Sequence, residues 1–190
     1  MIFDCKFSFN EGRGVIEVLS SEIGISKTAI YGNISEESPN IKAMQSQLTM
    51  DGNIFSDQIW KQAWYLLIQT SSILQDSNSI FKNARAILSD GVALVTSEST
   101  ATFYKSEFRN NTAPETGTLS VENNSIVTLN NTNFEQNYSK LGSSCVKAEL
   151  SEMLVYESVF TSFNSTAIIM RNSEKSFKIQ DSEFKQGGSF

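Results

Sequence analysis

Residues 101–121 read ATFYKSEFRNNTAPETGTLSV. Phe103 and Phe108 enclose four mostly polar residues, and Ala101 stands two places before Phe103. Alternation with period two sets Ala101 and Phe103 on one face of an extended segment and their neighbours on the other. After Phe108, Asn110, Asn111 and Gly117 are residues that tolerate tight turns, and residues 118–121 return to β-forming character. Strand, corner, short strand, polar loop and strand together predict one coil.

The layout recurs from end to end. An apolar residue followed by Phe or Ile appears as Ile2/Phe7, Ile25/Ile30, Met50/Phe55, Phe103/Phe108, Leu129/Phe134, Val155/Phe160 and Ile179/Phe184, with Leu74/Ile80 carrying one extra residue. The anchors are therefore Phe7, Ile30, Phe55, Ile80, Phe108, Phe134, Phe160 and Phe184, at intervals of 23 to 28 residues. Further apolar residues stand two before the first member, at Ile23, Leu48, Ala101, Val127, Met153 and Phe177. A second β-rich segment follows most anchors, at 15–18, 64–68, 92–95, 118–121, 145–148 and 167–170. Ile59, Trp60, Ala63, Trp64 and Leu67 have helix-like spacing but overlap a strand position, and read as a turn running into a strand. Self-similarity at a fixed period marks a repeat protein. Units of this length with two or three short strands stack as coils of a single-stranded β-solenoid, equivalent strands lying parallel about 4.8 Å apart. The Leu-x-x-Leu-x-Leu signature of leucine-rich repeats is missing. The expectation is an all-β rod of about seven or eight coils spanning residues 1–190 and about 35 Å long.

Composition fits this reading. Of 190 residues, 51 are Leu, Ile, Val or Phe, and 58 are Ser, Thr or Asn, which compete with helix backbone and favour turns. A net charge of −6 disfavours nucleic acid as a partner. The absence of histidine excludes His-based triads and His-metal sites. The longest apolar run, residues 63–68, is far shorter than the ~20 residues of a membrane helix, so membrane insertion by this segment is not expected. Residues 1–20 carry no signal-peptide pattern. Cys5 and Cys145 stand five or more coils apart, well over ~20 Å, which excludes an intrachain bridge. They are read as half-buried thiols or as links to another chain. No cofactor signature is present.

The anchors carry a second motif, Phe/Ile-x-x-Asn, in Phe7/Asn10, Ile30/Asn33, Ile80/Asn83, Phe108/Asn111 and Phe134/Asn137. Phe55 is followed instead by Gln58, Phe160 reaches Asn164 one residue late, and Phe184 reaches Gly187. Gly91-Val-Ala93-Leu94, Gly117-Thr-Leu119 and Gly142-Ser-Ser-Cys145 are partial copies of a Gly-Gly-Ala-apolar motif. The pairing resembles the FxxN and GGA[ILV] repeats of the chlamydial polymorphic outer-membrane proteins, and the related repeats of very large surface proteins in ciliates and other protists. The resemblance implies a right-handed parallel β-helix of the pectin-lyase-like type, an extracellular or cell-surface location and an adhesive role with proteins or surface glycans as partners. Both ends cut through a repeat, which suggests a segment of a longer, membrane-anchored protein.

Parallel β-helices also carry polysaccharide lyases and glycoside hydrolases, whose chemistry needs two carboxylates or a Ca²⁺ cluster beside a cation. The six aspartates are Asp4, Asp51, Asp57, Asp76, Asp90 and Asp181. Asp51, Asp57 and Asp76 are the weak candidates for one catalytic face, with Lys82 or Arg85 as the nearest cation; the competing reading makes them turn residues. The chain lacks the sequence elements of the pectin-degrading hydrolases, and a non-catalytic role is expected. Trp60, Trp64 and Tyr65 could stack on sugars if they faced outward. Glu11, Glu17, Glu22, Glu36, Glu37, Glu149, Glu152 and Glu157 read as a solvating surface. Candidate N-glycosylation sequons stand at Asn33, Asn110, Asn123, Asn130, Asn137 and Asn164.

Overall fold

The computed structural model describes residues 1–8, 11–12, 14–35, 38–60, 64–88, 91–172 and 175–186. Asn10, Glu36, Glu37, Ala63, Asp90 and Gly187, and the side chain of Glu11, lie outside the described residues. The described residues form strands and turns with no helix. Three parallel sheets make a β-solenoid of about six turns, with eight strands in the first sheet, twelve in the second (eight on its main path) and seven in the third. One coil runs through Thr100–Tyr104 in the first sheet, Glu107–Arg109 and Thr112–Ala113 in the second, and Leu119–Glu122 in the third. The turn count is slightly below the seven or eight expected. Five of the eight anchors, Ile30, Phe55, Phe108, Phe134 and Phe160, are fully buried; Phe7 and Ile80 are half-buried, and Phe184 is 41% exposed on a coil paired on one side among the described residues.

Period-two alternation explains which residues fill the interior. Gln47–Asp51 alternates exposed and buried, with Leu48 and Met50 inside, and Thr100–Tyr104 buries Ala101 and Phe103. In the third sheet Leu66, Ala93, Leu119 and Val146 lie in register, as do Ile68, Val95, Val121 and Ala148, all of them buried. The second sheet supplies a phenylalanine column. Rings of Phe55, Phe81, Phe108, Phe134, Phe160 and Phe184 stack with centroids 4.6 to 4.9 Å apart. That spacing equals the distance between paired strands, so backbone pairing and ring stacking reinforce each other.

The column corrects one anchor. Phe81 pairs with Phe55 and Phe108 and is fully buried, whereas Ile80 pairs with Ile54 and Glu107 and is only half-buried. The cause is Asp76, which occupies the inward position filled by Met50 and Phe103 in the adjacent coils. A search for apolar pairs passes over an aspartate, takes Leu74 instead, and so needs an extra residue. With Asp76/Phe81 the five-residue separation holds, as in Met50/Phe55 and Phe103/Phe108.

Corners are built from polar ladders. The backbone N–H groups of Ser21, Ser46, Ser72, Ser99 and Ser125 each donate to the serine hydroxyl at the same corner of the next coil, at 3.1 to 3.3 Å, ending on Ser151. These bonds occupy N–H groups at bends where buried polar groups need partners. At the other end of the first-sheet strands, one residue per coil takes the left-handed conformation: Asp4, Lys27, Gly52, Asn78, Lys105, Asn131, Glu157 and Asp181, with φ between 47° and 62°. Both thiols are free; Cys145 is buried rather than half-buried, and burial pushes its pKa up, while Cys5 is partly exposed.

Candidate functional site

The three candidate carboxylates do not share a face. Asp51 closes strand Gln47–Asp51 on the outside, where its Oδ1 accepts from Asn78 Nδ2 at 2.7 Å and Ser77 Oγ at 2.8 Å. Those two bonds, Asn78 first, hold its carboxyl below the usual carboxylate range. Asp57 is exposed and left-handed, with φ 57°. Its Oδ1 accepts from Asn83 Nδ2 at 2.8 Å, and Asn83 Oδ1 accepts from Asn110 Nδ2 at 2.9 Å, a ladder up the outer surface. Asp76 points into the core and is 2% exposed. Two of the three are thus bound into side-chain ladders on the outer surface, and the third is enclosed. Of the two cations, Lys82 is half-buried and Arg85 exposed on strand Ile80–Ala86.

The aromatic candidates are placed inside. Trp60 and Tyr65 are fully buried and meet edge-to-face at 4.7 Å, and the Tyr65 hydroxyl donates to the carbonyl of Lys82 at 2.8 Å. Trp64 is half-buried. Neither Trp60 nor Tyr65 offers a ring to a sugar, which corrects the stacking platform considered from sequence.

The FxxN asparagines have a structural task. Asn111 and Asn137 are buried, and each amide spans two coils. Asn111 Oδ1 accepts from the Ala84 N–H at 3.0 Å while its Nδ2 donates to the Phe81 carbonyl at 3.1 Å. Asn137 repeats this toward Asn111 and Phe108, at 3.1 and 2.8 Å. Gln58 is buried at the same place and accepts from Asn40 Nδ2. Asn83 is no copy of the motif, because the third residue after Phe81 is Ala84 and Asn83 lies left-handed on the outside. Phe163 fills the place after Phe160, and Asn164, one residue later, bonds Ser139 through both its Oδ1 and its Nδ2 at 3.0 and 2.9 Å. The partial glycine motifs also gain a reason. A Cβ built on Gly91, Gly117 or Gly142 would collide with a backbone carbonyl oxygen, that of Gly117, Ser144 or Glu115 respectively.

Burial separates the sequons. Asn33 and Asn137 lie inside, so neither presents its amide to an outside enzyme. Asn110 and Asn123 are exposed and Asn130 is half-buried; the Asn164 residue is exposed, but its amide is engaged as above.

A cleft of about 490 Å³ opens between Gly14, Ile16, Pro39, Lys42 and Leu67. Among its described lining residues Glu17 is the one acid, paired with Lys42 at 3.0 Å. The described lining therefore offers one carboxylate, not the pair that two-carboxylate hydrolysis uses. Among the described residues no three of His, Cys, Asp and Glu gather into a metal site, and no helix is long and apolar enough to cross a membrane.

Fold and ladders define the chain as a parallel β-solenoid repeat protein. No protein-family model and no curated protein matches the chain.

Proposed function

We propose that this chain is a non-catalytic structural or adhesive segment of a larger extracellular or cell-surface β-helix protein, a stiff spacer whose outer faces and turns meet other proteins or surface glycans. The observation that carries this reading is the disposition of the carboxylates. Asp51 and Asp57 are tied into side-chain ladders, Asp76 is enclosed, and the described lining of the cleft beside Lys42 holds one acid already ion-paired. Side chains that an enzyme of this architecture would leave converging on a groove here stabilise coil stacking instead. The working FxxN amides of Asn111 and Asn137 and the close-packed Gly91, Gly117 and Gly142 support placement beside the polymorphic outer-membrane and protist surface repeats. Exposed Asn110 and Asn123 are the sequons best placed for glycans.

Two assays on the same protein test the proposal. Incubation with acidic and neutral polysaccharides is expected to release no reducing ends, while glycan-array and surface-protein binding screens identify the partner class. Release that Asp51→Asn or Asp57→Asn abolishes would overturn the proposal in favour of a carbohydrate-degrading domain.

A further inference from the structure

Asp76 is the one Asp, Glu, Lys or Arg buried in the interior among the described residues. It lies in strand Ile73–Ser77, in register between Met50 and Phe103, in the row continued by Ile25, Leu129 and Val155. Its Oδ2 is 2.6 Å from Ser106 Oγ, and that hydroxyl is 3.3 Å from the carbonyl oxygen of Tyr104. Its Oδ1 is buried without a hydrogen-bond partner. Elsewhere at this corner the side chain accepts a backbone N–H from the preceding coil, as Asn53 does from Thr28, Ser79 from Asn53 and Ser158 from Thr132. Ser106 is turned toward the carboxyl.

The arrangement suits a neutral acid. With the acid protonated on Oδ2, its O–H donates to Ser106 Oγ and the Ser106 hydroxyl in turn donates to the Tyr104 carbonyl oxygen. Ionised, the same group has hydroxyls near it but leaves an Oδ1 without a well-formed hydrogen bond, and a buried charge so poorly paired is costly. The charged and titratable groups around it do not compensate. Asp51, at the outer end of the paired strand of the preceding coil, repels it. Lys82, Glu107 and Arg109 stand outside the buried Phe81 and Phe108 positions, Arg85 is exposed, and Tyr104 and Lys105 are exposed at the corner. Buried Tyr65 is committed to the Lys82 carbonyl.

We propose that Asp76 is a pH-responsive joint in the rod: its neutral carboxyl keeps strands Gln47–Asp51, Ile73–Ser77 and Thr100–Tyr104 stacked, and its ionisation loosens them. Burial pushes this carboxyl up from its ordinary range to about 7, opposed by the Ser106 bond and the nearby Ser79 hydroxyl and aided by Asp51. A carboxyl that titrates higher folded than unfolded stabilises the fold at low pH, and that stability drains away as pH rises from about 4 to about 7. The rod is closed in acid and yields toward neutral and alkaline pH, at its middle rather than at its ends.

Hydrogen exchange across Ile73–Ser77 in wild type, Asp76→Leu and Asp76→Asn tests this, each compared at the same pH. Relative to Asp76→Leu, local opening in wild type is expected to increase on the order of a hundredfold between pH 4.5 and 8.5, and Asp76→Asn should lose that pH response. An unchanged ratio, or a wild-type pH response in Asp76→Asn, overturns the proposal. Carboxyl ¹³C titration of the wild-type protein gives an answer that needs neither variant to fold. A midpoint well above the ordinary carboxylate range supports the joint, and an ordinary midpoint overturns it.

Discussion

At the scale of single residues, a side chain here matters according to whether its neighbours above and below are in place. Phe108 is stacked between Phe81 and Phe134, whereas Phe184 is stacked on Phe160 alone and is 41% exposed. Phe108→Ala should cost about 3–5 kcal/mol by urea unfolding, as for a buried aromatic replaced by a cavity, and Phe184→Ala distinctly less. Asn111→Ala strands the Ala84 N–H and the Phe81 carbonyl and should cost about 2–4 kcal/mol. The sequence made the Phe108 and Asn111 roles legible, since spacing alone sets them on the inner face and at the following corner. It hid Phe81 behind Ile80, because hydropathy cannot recognise an aspartate as a core residue. The fixed five-residue interval from Asp76 to Phe81 was the signal available.

At the scale of elements, corners rather than strands distinguish one coil from another. Strand pairing would accept many sequences, but among the described residues four close approaches of backbone to backbone, at Gly14, Gly91, Gly117 and Gly142, require glycine. Gly117→Ala places a Cβ against the Ser144 carbonyl and should destabilise by about 3 kcal/mol or split the coils locally, readable as faster exchange in Leu119–Glu122. From the sequence, stacked Asn and Ser at the turns are expected to bond along the axis as ladders, but which serines stack is not legible. Their in-register stacking depends on coil lengths that vary by a few residues, and single-sequence reading resolves those lengths only at clear anchors. The same limit explains the candidate site. Asp51 and Asp76 lie in consecutive coils, yet face opposite ways. Asp51 pairs with Ser77, and adjacent residues of a strand point to opposite faces.

At the scale of the whole molecule, two carboxylates set opposite slopes of stability with pH. The Asp51 carboxyl is held low by Asn78 and Ser77, so its contribution is present above the ordinary carboxylate pKa and is lost as pH falls. That of Asp76 is lost as pH rises toward 7. Urea midpoints should therefore peak in mildly acidic solution, with Asp51→Asn flattening the acid limb and Asp76→Leu the alkaline one. The rod, its ladders and the enclosed carboxyl all depend on one register of coil stacking. A thiol-labelling scan in a Cys5→Ser, Cys145→Ala background reads that register directly, with single cysteines placed at Gln75, Asp76, Ser77, Ile80, Phe81 and Lys82. Native protein is expected to protect Asp76→Cys and Phe81→Cys while the other four label. Labelling of Asp76→Cys as fast as Gln75→Cys, or protection of Ile80→Cys with labelling of Phe81→Cys, would contradict the structure.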